Sequence, residues 1–314
     1  MSHSAADNQP KVSVQIATRD RFKPLCRAVA SVLEQDYANL EIVVLDDASD
    51  SVDVCSALRK EFDDPRIRCF RNETWSGIAA VRARMMELGA GEIYCSVDDD
   101  GAFAHASCLS RIVEAFRREP RLGLLAGKIK DYRDQKERLL LPFGKAALRA
   151  DPSLPEGRHK VSYFLAGCYA VRADVAAESG GYRPEMKYGE EELDLSYRII
   201  AAGYDIVYEP EVVAYHWPEP SAIKSDRQGG RSELYYQVKN RFLLLYSYIP
   251  AQYIPTYVTI WLCRYFYTSL KRGVLGDYLA GLRDGLLELP GRRRKALSGK
   301  ALSYLRENHG RLWY

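Results

Sequence analysis

Short apolar runs alternate with amphipathic stretches along the first two thirds of the chain, and this alternation sets the expected elements. Val12 to Ala17 (VSVQIA) is a β-rich run, Leu25 to Glu34 has a helical period, and Glu41 to Leu45 (EIVVL) is almost wholly apolar and ends at Asp46-Asp47. The cycle repeats: Val54 to Phe62 reads as a helix, Ile67 to Arg71 as a strand, Ile78 to Leu88 as a helix, and Glu92 to Val97 as a strand running into Asp98-Asp99-Asp100. A helix over Ser107 to Arg118 and a strand over Leu122 to Lys128 follow. Apolar strands separated by helices predict an α/β fold whose mostly parallel sheet is covered by helices on both faces. Ligands of such open sheets sit beyond the carboxyl ends of the strands, where both acidic clusters fall.

The second half is less regular. Asp131 to Lys160 is charged, holds Pro142, Pro152 and Pro155, and keeps no period, which predicts a mobile loop or excursion near the site. Phe164 to Val171 is apolar, Gly180-Gly181 marks a turn, Glu191 to Ala202 reads as a helix, and Asp205 to Tyr215 as two short strands broken at Pro210. Past about residue 222 the character changes. Phe242 to Cys263 is 22 residues without a charge, yet it contains four Tyr and two Pro.

Composition narrows the class. With 314 residues, 47% hydrophobic and 28% charged, the chain is a folded globular protein rather than a disordered or fibrous one. A net charge of +3 argues against nucleic acid as a partner, since phosphate neutralisation needs a basic excess on one face. That near-neutrality hides a division: Arg264 to Tyr314 carries 11 Lys/Arg against 4 Asp/Glu, a local +7, which leaves the first 263 residues at −4. Seven dispersed cysteines without a C-x-x-C pair predict reduced thiols and no zinc site. The N-terminal MSHSAADNQPK has no apolar h-region, so a cytoplasmic location is expected.

Three adjacent carboxylates at the end of an apolar strand repel one another unless a cation is present. Hard, all-oxygen sites of this type suit Mg²⁺ or Mn²⁺, commonly held by one or two carboxylates together with substrate phosphates. The plainer alternative is a solvated acidic turn.

The company this triplet keeps points further. VSVQIATRDR, SVLEQDYANLEIVVLDDASD, SVDDD, GGYRPEMKYGEEELDLSYRIIAAGYDIVYEP and AYH occur in that order, and together they resemble the blocks of the family 2 glycosyltransferases over roughly Lys11 to Trp217. The resemblance implies a GT-A fold, a Rossmann-like sheet that binds a nucleotide-sugar donor, with a helical C-terminal extension. It implies a flexible leader over 1–10 and a catalytic domain over 11–222, divided into a nucleotide-binding part (11–100) and an acceptor side (101–222). Residues 223–314 are then a helical, basic and aromatic region.

Carried over by position, the resemblance implies that Thr18, Arg21 and Asp47 line the nucleotide pocket, with Asp20 standing where Asn is usual. A carboxylate such as Asp47 can accept the imide N–H of uracil or thymine, whereas Asp46 also reads as a cap of the following turn. Arg82 matches a helix Arg that reaches the nucleotide, or else pairs with acids. Asp98 falls at the ribose, Asp99 stays unassigned within the donor site, and Asp100 falls at the metal, with Asp98 and His216 as further metal candidates. Inversion needs one general base. The Glu190-Glu191-Glu192 run supplies it, with Glu192 favoured by alignment on Asp194, Glu191 next, and helix-dipole stabilisation as the plain alternative. Gly167 falls in a small-residue loop by the sugar and acceptor, and Trp217 is a candidate for stacking on a sugar.

The expected reaction is metal-assisted, inverting transfer from a UDP- or dTDP-sugar to a hydroxyl of a glycan or lipid-linked acceptor, with Mn²⁺ or Mg²⁺ as cofactor. A nucleotidyltransferase would need a glycine-rich phosphate loop after the first strand, and ATRDRFKP has no glycine. A non-catalytic sugar- or nucleotide-binding module is the remaining alternative. In the tail, Phe242 to Cys263 meets the length of a membrane span but is broken by Pro250 and Pro255. With Arg264, Lys271, Arg272 and Arg292 to Lys295 beside it, the stretch predicts an in-plane anchor, its aromatic face in lipid and its basic groups on anionic head groups, at the inner face of the cytoplasmic membrane. The alternative is a set of helices packed on the catalytic domain or on a second subunit, the latter giving a homo-oligomer.

Overall fold

The computed structural model describes residues 9–218 and 230–310. Most of the expected leader, residues 1–8, and the expected boundary at 222 lie outside the described residues. β1 (Val12–Thr18), β2 (Leu40–Asp46), β3 (Ile67–Arg71) and β4 (Ile93–Val97) form a parallel unit in the order β3-β2-β1-β4. Their crossovers are α1 (Phe22–Leu33), α2 (Val54–Glu61) and α3 (Ile78–Leu88). The near-continuous apolar character of β1 and β2 follows from burial on both faces. Val14, Ile16, Ile42 and Val44 pack with Leu25 and Val29 of α1, while Val43 and Leu45 pack with Val81 and Met85 of α3. Successive strands leave β1 in opposite directions, so a crevice opens at the carboxyl ends of β1 and β4.

The second half adds β5 (Gly101–Phe103), α4 (Cys108–Arg118), β6 (Leu122–Asp131), β7 (Arg138–Leu140), α5 (Lys145–Ala150), β8 (His159–Lys160), β9 (Cys168–Arg172), α6 (Ala173–Glu178), α7 (Glu191–Ala202) and β10 (Asp205–His216). The sheet continues from β4 as β9-β6-β10-β5. β9 is antiparallel to both neighbours, β10 is parallel to β6, and β5 is antiparallel to β10.

Three expectations change here. Residues 131–160 are not a loop without structure: they hold β7, α5 and β8 and anchor through buried Phe143 and Leu154. Asp205 to His216 is one strand rather than two, because the ladder shifts register between Glu209 and Val213 and so accommodates Pro210, which has no N–H to donate. The cysteines are not all free. Cys55 on α2 and Cys69 on β3 are joined by a disulfide, consecutive elements having brought their Cα atoms to 5.3 Å.

The C-terminal region is α8 (Glu233–Tyr248), α9 (Ile254–Arg272), α10 (Leu275–Glu288) and α11 (Gly299–Glu307). Leu234, Val238, Tyr257 and Trp261 belong to the same buried cluster as Tyr169, Tyr197 and Tyr208 of the sheet and α7. The uncharged stretch 242–263 is therefore broken into the end of α8, a turn and the start of α9. Tyr248, Tyr253, Tyr257 and Trp261 face inward. This corrects the expectation that the aromatic side of that stretch meets lipid: those rings complete the protein core. Among the described residues no helix is long and apolar enough to cross a membrane.

Candidate active site

The site is built on four chain segments: the loops after β1 and β4, the end of β10, and the first turn of α7. Asp98 to Asp100 leave the buried end of β4, so their carboxylates meet the crevice where the strand order reverses. Asp98 is partly exposed, whereas Asp99 and Asp100 are buried. Arg21, from the β1 loop, bridges the latter two at 2.8 Å each. Burial and the neighbouring Asp100 push the Asp99 carboxyl up to about 7, although Arg21 opposes the shift. Burial also acts to raise Asp100, but His216 and Arg21 outweigh it and hold Asp100 below its ordinary value.

His216 ends β10 with Nε2 3.2 Å from Asp100 and Nδ1 2.6 Å from Asp131 at the end of β6. Burial disfavours its charged form, yet contacts with the carboxylates dominate and raise it to about 9. Ligand atoms of Asp98, Asp100 and His216 lie within 4.8 Å of one another. Two carboxylates and an imidazole fit Mn²⁺ or Mg²⁺, and Asp131 fixes the ring from behind as an outer-sphere partner does in metal sites. Nothing in the residue pattern pointed to Asp131 beyond its place just after an apolar strand. Asp131→Ala is expected to weaken Mn²⁺ binding about 10- to 100-fold, measured by calorimetry; unchanged affinity would remove Asp131 from the site.

The Glu run divides its three members among three environments. Glu190 sits in the left-handed region (φ 72) and is held by Arg241 of α8 at 2.6 Å and by the Tyr265 hydroxyl of α9 at 3.1 Å. Glu191 is buried against Arg82 at 2.8 Å. Glu192 lies 3.8 Å from Arg82 and remains partly exposed. Burial raises both the Glu191 and the Glu192 carboxyls, with Arg82 opposing, and Arg82 in turn holds its proton more firmly than an ordinary arginine. Glu192 opens on a cavity of about 200 Å³ walled by Tyr163, Phe164, Tyr197, Arg241 and Tyr257. Arg241 and Tyr257 come from the C-terminal helices, a contribution that no motif announced.

The remaining candidates are placed as follows. Thr18 is buried at the end of β1. Asp47 accepts from Asn72 Nδ2 (2.7 Å), Ser76 N and Oγ (3.0 and 2.8 Å) and Gly77 N (3.0 Å), and so ties the β2 loop to the start of α3. Gly77 is required there: it has φ +91, and a Cβ would stand 2.9 Å from the Lys187 carbonyl oxygen. Asp46 accepts from Ser49 and Arg71, the turn-capping role. Asp20, itself at φ 55, accepts from the amides of Asp50 and Ser51. Arg82 is engaged with Glu191, Glu192 and, at 3.9 Å, Asp98. Gly167 lies against Asp98, since a Cβ there would be 3.0 Å from Asp98 Oδ2. Trp217 is stacked on Tyr132 at 6.0 Å and covered by the Arg27 guanidinium at 4.1 Å.

Residues 13–176 match the model of glycosyl transferase family 2. The chain belongs to this family. Among curated family members, it is 38% identical over 93 residues to the putative colanic acid biosynthesis glycosyl transferase WcaA of Escherichia coli (strain K12), a match covering 30% of this chain and 33% of that protein. It is 33% identical over 89 residues to the UDP-Glc:alpha-D-GlcNAc-diphosphoundecaprenol beta-1,3-glucosyltransferase WfgD of Escherichia coli, covering 28% and 34% respectively. The chain thus spans about a third of the length of these relatives. The structure of GalNAc-T7 with UDP, GalNAc and Mn²⁺ superposes with a TM-score of 0.61 at 16% identity, over 77% of this chain and 49% of that one. The family 2 chain folded here therefore has the GT-A architecture, extended by its C-terminal helices.

Proposed function

We propose that the protein is an inverting, metal-assisted glycosyltransferase that moves a sugar from a UDP- or dTDP-linked donor to a hydroxyl of a glycan or lipid-linked acceptor. One observation carries the reading: Arg82 lies 3.9 Å from Asp98 of a candidate metal triad and 3.8 Å from Glu192, a partly exposed carboxylate beside an aromatic-walled cavity. Asp98, Asp100 and His216 would hold Mn²⁺ or Mg²⁺, whose role is to neutralise the charge of the leaving nucleoside diphosphate. Glu192 takes the proton of the acceptor hydroxyl, its raised pKa suiting a base. Arg82 fixes Glu191 and flanks Glu192, while Arg21, Thr18 and Asp47 shape the donor side. The lipid-linked acceptor draws support from the relative whose name specifies a diphosphoundecaprenol acceptor.

The nucleotidyltransferase alternative lacks its phosphate loop. The turn after β1 is instead pinned by the Asp20 carboxylate. A binding module is separated by assay. Incubation with Mn²⁺ and a panel of nucleotide sugars should release nucleoside diphosphate from one UDP- or dTDP-sugar, and much less from Asp100→Ala or Glu192→Gln. If no donor is consumed, or both variants match the wild type, the transferase reading is lost. The anomeric configuration of the product, read by NMR, decides inversion.

A further inference from the structure

Among the described residues, eight large apolar side chains are exposed, and seven of them lie on two consecutive helices: Phe266, Tyr267 and Leu270 on α9, and Leu275, Leu279, Leu286 and Leu287 on α10. Leu275, Leu279 and Leu286 stand at i, i+4 and i+11, one ridge of a helix, while Tyr278, Gly281 and Gly285 form the buried side of α10, about a quarter turn or more away. Gly281 and Gly285 allow that buried side to lie close on α8, since a Cβ at 281 would be 2.7 Å from the Tyr235 carbonyl oxygen. On α9 the same division holds. Tyr257, Trp261 and Tyr265 point inward, and Phe266, Tyr267 and Leu270 point out. Exposed apolar side chains gathered on neighbouring helices mark an interaction site.

Charge identifies the partner. Between residues 254 and 298 the chain has eight Lys/Arg and three Asp/Glu. All three acids are already paired: Asp277 with Arg231, Asp284 with Arg283, and Glu288 with Lys239 and Arg292. Arg264 and Lys271, on the same helix as Phe266, Tyr267 and Leu270, and Arg293, Arg294 and Lys295, just past the end of α10, are exposed and have no carboxylate partner among the described residues. Past the end of α10, Arg183, Arg292, Arg293 and Lys295 line a cleft of about 690 Å³, with Glu178 and Glu185 as its acids. Exposed leucines and aromatics rimmed by unneutralised cations match the layering of an anionic lipid surface, apolar beneath and negative at the head groups. A second copy of this chain would bring the same cations against one another.

We infer that the outer face of α9 and α10 docks on an anionic bilayer surface, lying in its plane. α9 then has two tasks on opposite sides. Outward it meets lipid, and inward Tyr265 holds Glu190, the residue ahead of Glu191 and Glu192. The inference does not depend on the transferase reading, because binding is measured with neither donor nor acceptor.

The test is co-sedimentation of the full chain with vesicles of phosphatidylcholine alone and of phosphatidylcholine mixed with phosphatidylglycerol. The expected result is binding to the mixed vesicles at low salt and its loss at high salt. Lys271→Ala with Arg272→Ala should weaken binding roughly 30-fold, and Leu279→Ser with Leu286→Ser should also weaken it. Thermal unfolding of both variants, at exposed positions, should stay at the wild-type value, so a folding defect is recognised. Absence of binding at low salt, binding unaltered in both folded variants, or a solution dimer that the leucine variant abolishes would each overturn the inference, the last in favour of a second copy.

Discussion

Glu192→Gln is expected to lower transfer by about 100- to 10,000-fold while donor binding stays at the wild-type level. The amide keeps the size of the side chain and its place 3.8 Å from Arg82, but it cannot take a proton. Loss in kcat with an unchanged donor KM is the signature, whereas a rise in KM alone would assign Glu192 to binding. Glu191→Gln provides the contrast. Glu191 is buried and bound to Arg82, so its replacement should disturb stability before it disturbs the proton transfer. Because burial raises the Glu192 carboxyl above its ordinary value of 4.5, activity should fall on the acid side at a higher pH than for a free glutamate, since the base works only when ionised.

The largest expected loss of stability comes from Arg82→Met. Arg82 is 6% exposed and meets Glu191, Glu192 and Asp98, besides lying over the Tyr182 ring at 5.7 Å. Removing it leaves buried carboxylates without a counter-charge, which typically costs about 3–5 kcal/mol, whereas replacing both members of a buried pair by apolar groups is far less damaging. Urea unfolding of Arg82→Met should show that loss, and Arg82→Met with Glu191→Met should recover most of it. Equal stability of the single and double variants would mean that Glu191 is not the charge Arg82 neutralises. A nucleotide contact alone would predict weaker donor binding and no change in unfolding.

Much of the catalytic half was legible in the pattern of residues. Ile67–Arg71, Ile78–Leu88 and Glu191–Ala202 form the elements their periodicity implied, with the same ends, because local pattern and burial agree there. The metal candidates were legible through Asp98-Asp99-Asp100 and the histidine of AYH, both at strand ends. Asp131 was not, since its role depends on the pairing of β6 with β10, which sets it opposite His216. The pairing of Arg241 with Glu190 was hidden for the same reason: the contact joins residues 51 positions apart across separate elements. The strand through Pro210 misled because a register shift, invisible locally, accommodates the missing N–H.

The sequence by itself determined the α/β alternation, the acidic strand ends at the switch point and the basic character of the tail, because each follows from local periodicity or charge. Only the tertiary structure decided which Glu of three stands without a close cationic partner, and which side of the tail helices faces out. Those outcomes depend on what packs against each side chain. Arg241 holds Glu190 at 2.6 Å and Arg82 holds Glu191 at 2.8 Å, whereas Glu192 stands 3.8 Å from Arg82. Three of the four tyrosines of 242–263, which looked ready for lipid, are spent inside the core, and the exposed apolar side chains lie farther along, on Phe266 to Leu287.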